Sequence, residues 1–258
     1  MIFTPGLVSI TCRSLSAAAV VEVAAAAGLR AIEWGGDVHC PHGDVARAQE
    51  VRDLTHARGL EVGAYGSYYR LGVSAAQGLS FSAVLASAQA LGAPRIRVWA
   101  GNTSSADCPL AQRAAIIADA RRCADLAGAV GLTVLSEWHG GTLTDTFESG
   151  RNFLRDVAHP HFATVWQPAV GLSVDEALAE LAGVLPWVQH LHVFHWEQHD
   201  RRPLAEGRAR WLRYVALAAT APNARGRLIA ALEFVQRDDP VQLHHDAHTL
   251  ISLLAPYA

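Results

Sequence analysis

Short apolar runs alternate with helical stretches along the whole chain. Three of those stretches stop on a glycine with the next run starting at once, at Gly28–Leu29, Gly59–Leu60 and Gly131–Leu132. Glycine just past a helix, with a strand directly after it, is the short αβ connection of α/β folds. Read this way, strand and helix repeat eight times. The strands are predicted at 6–12, 29–34, 60–66, 95–100, 132–137, 162–166, 188–195 and 227–235. The helices are predicted at 16–27, 44–58, 80–91, 109–130, 145–157, 173–184, 207–220 and 240–254, the first capped by Ser16. Eight such units in a chain of 258 residues match a (β/α)8 TIM barrel. A doubly wound sheet would instead want fewer strands and a glycine-rich loop after the first. The residues there are Thr11-Cys12-Arg13-Ser14.

A hydrophobic content of 51% suffices for one core, and no linker or second domain interrupts residues 1–258. The net charge of -3 and a pI near 6.5 argue against a nucleic-acid partner. No run is long enough to cross a membrane, and no basic segment precedes an apolar one at the N-terminus, so a cytoplasmic protein is expected. The four cysteines form no CxxC pair and read as reduced thiols. All 21 basic residues are arginine. Without lysine there is no Schiff-base aldolase, pyridoxal phosphate enzyme or P-loop.

A barrel builds its active site at the C-terminal ends of its strands, and those ends are chemically rich. Strand two ends in Glu33-Trp34 with His39 beyond, strand three in Tyr65, strand four in Trp99 and strand five in Glu137-Trp138-His139. Strand six ends in Trp166-Gln167, strand seven carries His192, His195 and Trp196, and strand eight reaches Glu233. Two glutamates and an imidazole on separate strand ends suit a divalent metal or an acid/base pair. Aromatic faces beside polar groups suit a polyhydroxylated ligand. His190 shares a face with His192 but lies deeper, as an interior histidine. His244, His245 and His248, and the arginines after strand seven, read as surface residues.

The stretches Ile32-Glu-Trp-Gly-Gly-Asp-Val-His39, Ser136-Glu-Trp-His-Gly-Gly-Thr-Leu-Thr-Asp145, Val165-Trp-Gln-Pro168, His190-Leu-His-Val-Phe-His-Trp196 and Leu232-Glu-Phe234 resemble the xylose isomerase-like TIM barrels. That superfamily contains sugar isomerases and epimerases, inosose dehydratases and endonuclease IV. The chain is most similar to its sugar phosphate isomerase/epimerase branch. The resemblance implies a metal site at Glu137, His192 and Glu233, with Gln167 where ketose 3-epimerases have aspartate. It implies Mn2+ or Mg2+, with Zn2+ or Co2+ as alternatives, and a homodimer. The expected function is a metal-dependent sugar isomerase or epimerase in which Glu137 and Glu233 pass a proton through an enediolate. The remaining strand-end residues (Glu33, Trp34, His39, Tyr65, Trp99, His139, Trp166, His195 and Trp196) would contact a small sugar or sugar-derived substrate. A dehydratase or lyase using the same residues, or a non-catalytic sugar-binding barrel, are the alternatives. Val170, Phe194 and His195 depart from the epimerase pattern.

Overall fold

All eight units contribute a strand to one closed, parallel barrel. The computed structural model describes residues 2–222 and 228–257. The first seven barrel strands are β1 (Phe3–Val8), β2 (Ala31–Gly35), β3 (Glu61–Arg70), β4 (Arg95–Trp99), β5 (Thr133–Glu137), β6 (Phe162–Trp166) and β7 (Val188–Val193). A two-stranded antiparallel hairpin, β8 (Trp196–Glu197) with β9 (Asp200–Arg201), follows β7. The eighth barrel strand is β10 (Leu228–Leu232), which closes the ring between β7 and β1. The surrounding helices are α1 (Ala17–Ala26), α2 (Val45–Ala57), α3 (Phe81–Leu91), α4 (Leu110–Gly128), α5 (Phe147–Val157), α6 (Val174–Val184), α7 (Arg208–Ala218) and α8 (Pro240–Leu254).

The helix boundaries follow local chemistry. Ser16, Ser80 and Ser173 each accept an N–H from the first turn of their helix, and Ser173 forms a full capping box with Glu176, which satisfies donors a helix start otherwise leaves unpaired. Gly28, Gly59, Gly92 and Gly131 all have positive φ, between 70° and 77°, the left-handed stop that a side chain disfavours.

Four strands depart from the sequence expectation at the C-terminal rim of the barrel. Strand one lies at Phe3–Val8 rather than 6–12, because pairing with β10 and β2 sets its register. The segment Ser9–Cys12 is a 3-10 turn whose Ser9 hydroxyl caps the N–H of Gly35 at 2.9 Å. Strand three runs on to Arg70 through an irregularity between Gly66 and Tyr69, with Tyr68 at φ 53°. Strand seven ends at Val193 instead of 195, and the chain turns there into the β8–β9 hairpin. Strand eight was expected from Arg227, which lies outside the described residues. It ends at Leu232, with Glu233 tied on by its N–H to the Val193 carbonyl at 3.0 Å.

Candidate active site

Successive residues of a strand point to opposite faces. This alternation sends Glu33, Arg97, Glu137, His192 and Glu233 into the barrel together. Arg97 is their hub. Its Nε donates to Glu33 Oε1 at 2.5 Å, and its Nη1 donates to Glu137 Oε2. The Trp99 indole N–H adds a second bond to Glu137 Oε2 at 2.5 Å. Room for the guanidinium comes from Gly66: a Cβ there would lie 2.6 Å from Arg97 Nη2 and 2.8 Å from Glu33 Oε1.

His192 lies at the centre of the acceptors. Its Nε2 faces Glu33 Oε2 at 3.1 Å. Its Nδ1 faces Gln167 Oε1 at 3.1 Å, Glu233 Oε2 at 3.3 Å and Glu137 Oε1 at 3.6 Å. Burial disfavours the imidazolium, but the Glu233 and Glu33 carboxylates outweigh it and hold His192 well above its ordinary pKa. Burial likewise pushes the Glu137 carboxyl up, and Arg97 with His192 overrides it, bringing it down to about 2. His190, with Nε2 at 3.4 Å from Glu33 Oε2, is pushed down to about 3 by burial; it stays neutral.

Glu137, His192 and Glu233 bring ligand atoms within 4.8 Å of one another, and their chemistry fits a divalent cation. Gln167 turns its amide oxygen toward the group because its NH2 donates to the Trp138 carbonyl at 2.6 Å. The donors are then three oxygens and one imidazole nitrogen, a hard and borderline mixture suited to Mg2+, Mn2+ or Zn2+. Glu33 holds the other imidazole nitrogen, as outer-shell carboxylates do for metal-bound histidines. Three buried carboxylates against one guanidinium leave two negative charges, which the cluster neutralises by an added cation or in part by protonating His192.

Above this cluster opens a cavity of about 280 Å³, whose wall includes Tyr68, Trp99, His139, Phe194, Trp196 and Phe234. His139 is exposed, and its ring lies on Trp99 with centroids 4.5 Å apart. Its Nδ1 meets the Gly140 carbonyl at 2.7 Å. A carbonyl only accepts, so Nδ1 carries the proton and Nε2 keeps a basic lone pair. The Tyr68 hydroxyl and the Trp196 indole N–H are buried with no hydrogen-bond partner among the described residues.

The structure thus gathers Glu33, Trp99, Glu137, His139, Gln167, His192, Trp196 and Glu233 of the expected residues. The others turn elsewhere. Trp34 follows Glu33 and so faces outward, bonding Thr55 of α2 at 3.1 Å. Trp166 precedes Gln167 and packs on Trp211 and Tyr214 of α7. Tyr65 donates to the Cys40 carbonyl at 2.8 Å. His39 is held between Ser9 and the Leu15 carbonyl. His195 packs against Gly207 rather than lining the cavity. Sequence reasoning passed over Arg97, although a charge inside the apolar run Arg95–Trp99, in phase with Trp99, marks it as inward. It placed Tyr68 just beyond the end of strand three but gave it no role; Tyr68 reaches the cavity through the β3 irregularity, a feature with no local signal.

A closed (β/α)8 barrel with carboxylates and histidines gathered at its catalytic end defines the class of protein. The profile of the xylose isomerase-like TIM barrel family matches residues 21–248, and the chain belongs to that family. A curated 3-dehydroshikimate dehydratase of Bacillus anthracis is 32% identical over 104 residues, which is 38% of this chain and 35% of that protein. The chain's match thus spans about a third of the length of that relative. In three dimensions the chain is similar to the crystal structure of the probable 3-DHS dehydratase AsbF of the same organism, with TM-score 0.75, 19% identity and coverage of 96% and 98% of the two chains. It is similar also to a D-psicose 3-epimerase, with TM-score 0.70, 15% identity and 98% of each chain covered. Among the described residues, no helix is long and apolar enough to cross a membrane.

Proposed function

We propose that the protein is a lyase of the dehydratase type, acting on a small, hydroxylated carbonyl compound. The observation that carries this reading is the convergence of Glu137, Gln167, His192 and Glu233 beside a cavity that His139 also lines, its Nε2 bonded to none of the described residues. A divalent cation held by those four residues would polarise a substrate carbonyl and acidify the neighbouring C–H. His139 Nε2 takes that proton. The C–H electron pair becomes the new C=C bond as the β C–O bond breaks, and His139 returns the proton so that hydroxide leaves as water. Glu233 borders the cavity and orients the substrate. Arg97 and Trp99 hold Glu137 in place.

The bonding of Glu137 favours elimination over isomerisation. Epimerases of the expected kind need two bases on opposite faces of the carbon. Glu137 accepts from Arg97, Trp99 and Gln167 and is held down to about 2, so it is a poor base. With Glu137 bonded in this way the two-base exchange lacks one partner, whereas a single base at His139 suffices for elimination, in agreement with the curated relative.

The test is a screen of β-hydroxy carbonyl sugars and cyclic acids with Mg2+, Mn2+ or Zn2+, read by mass spectrometry for loss of one water. Changing His139→Gln is expected to slow turnover by about 10²–10⁴-fold, and Glu233→Gln to slow it as well, with the fold intact. A product of unchanged mass would show isomerisation and sink the lyase reading.

A further inference from the structure

A second lobe adjoins the cavity, between the loops that follow β5 and β6. It measures about 270 Å³ and shares His139, Gln167, Val170 and Phe194 with the first. Neither lobe alone reaches the roughly 300–1,000 Å³ of typical small-molecule pockets; together they do. The proposed reaction uses only the first.

Two residues of this lobe carry polar atoms unmatched among the described residues. Trp138 is 7% exposed, and its indole N–H is buried with no partner among them. Asp145 accepts the Ser105 N–H at 3.0 Å through Oδ2, while its Oδ1 is buried, likewise with no partner among them. Buried unpaired groups are rare, and each calls for an explanation. Trp138 and Asp145 both border the lobe, and a donor with an acceptor matches a hydroxyl group, which both accepts and donates. Phe147 and Phe194 add aromatic faces, and Glu180 adds a further carboxylate. The C–H faces of a sugar ring stack on such walls. The charge argues against an anion: two carboxylates border the lobe, and His139 is the one basic side chain among the described residues that line it, the Arg151 guanidinium lying over the Phe147 ring at 5.1 Å without lining the lobe.

We infer that this lobe is a subsite for a second, uncharged, hydroxylated ring, so that the substrate is a two-ring glycoside rather than a phosphorylated monosaccharide. This deepens the lyase reading and rests on its placement of the reacting ring in the first lobe. Trp138, Asp145 and Glu180 set the preference.

Calorimetric titration of the metal-loaded protein tests it with D-glucose, D-galactose, cellobiose, maltose, lactose and glucose 6-phosphate. At least one neutral disaccharide is expected to bind ten times or more tighter than either monosaccharide, with glucose 6-phosphate no tighter than glucose. In Trp138→Phe, which keeps the ring and removes the N–H, and in Glu180→Arg, that gain is expected to fall below threefold while monosaccharide affinity holds. No gain for any disaccharide, a gain that survives both substitutions, tighter binding of the phosphorylated sugar, or no binding of any sugar would each overturn the inference. Failure of the lyase reading is separately visible: turnover retained in Glu233→Gln, or an isomeric product, leaves the disaccharide gain untouched.

Discussion

At the scale of single residues, Arg97 has the largest predicted effect on stability. It is the buried counter-charge to both Glu33 and Glu137. Arg97→Leu removes the guanidinium that Glu33 and Glu137 share. Breaking a buried ion pair from one side costs about 3–5 kcal/mol, so urea unfolding should show a loss of that order; a change below about 1 kcal/mol would contradict the assignment. Lysine is no substitute, because one ammonium cannot span both acids as the planar fork does. The thiols make a second residue-scale prediction. Burial raises Cys12 to about 11 and Cys40 to about 12, and Cys123 is also raised by burial. Cys108 is half-buried. A disulfide exchange reagent at pH 8 should therefore modify Cys108 first, and Cys108→Ser should remove the fast phase.

At the scale of elements, α8 is joined to the segment before α7 by one carboxylate. Asp246 Oδ1 accepts from the Leu204 N–H and from Gln242 Nε2, both at 2.8 Å. Burial raises its pKa by more than these bonds lower it. The folded state therefore prefers the protonated form. The stabilisation is full below the ordinary carboxylate pKa and is lost as pH rises through the raised folded value. Asp246→Asn keeps an Oδ1 acceptor and removes the titration. Its stability relative to the unmodified protein should improve between pH 4 and pH 7, measured by urea midpoints; an unchanged difference would refute the sign. The hairpin β8–β9 shows how element boundaries escape the sequence. Residues 188–195 read as one strand, yet pairing with β6 ends at Leu191 and pairing with β10 at Val193, and His195 leaves the cavity as a result.

At the scale of the molecule, the four residues that would hold a cation come from β5, the end of β6, β7 and the end of β10, so a cation bound there ties together half of the barrel's strands. A ligand at one hundred times its Kd stabilises by about 2.7 kcal/mol. For a chain of this size that is roughly 5–10 °C in Tm. Chelation should lower Tm and Mn2+ should restore it, with no response in Glu137→Ala. An identical response in that variant would place the metal elsewhere.

The barrel was legible from the chain because its signal is repeated and local. Helix-stopping glycines, serine caps and apolar runs each act within a few residues, and eight repeats leave little choice of fold. Glu137, His192 and Glu233 were legible for a related reason: strand-end position and side-chain chemistry are both sequence properties. Alternation, applied to adjacent pairs, also separates Glu33 from Trp34 and Gln167 from Trp166, since neighbours on a strand cannot both face the interior. Other features required the closed structure. The three oxygens around His192 Nδ1 come from three strands, and the two ion pairs of Arg97 reach 64 and 40 residues along the chain. The β3 irregularity that admits Tyr68 depends on pairing with β4. Such contacts join residues remote in sequence, so only closure of the barrel decides which carboxylate is neutralised and which base faces the cavity.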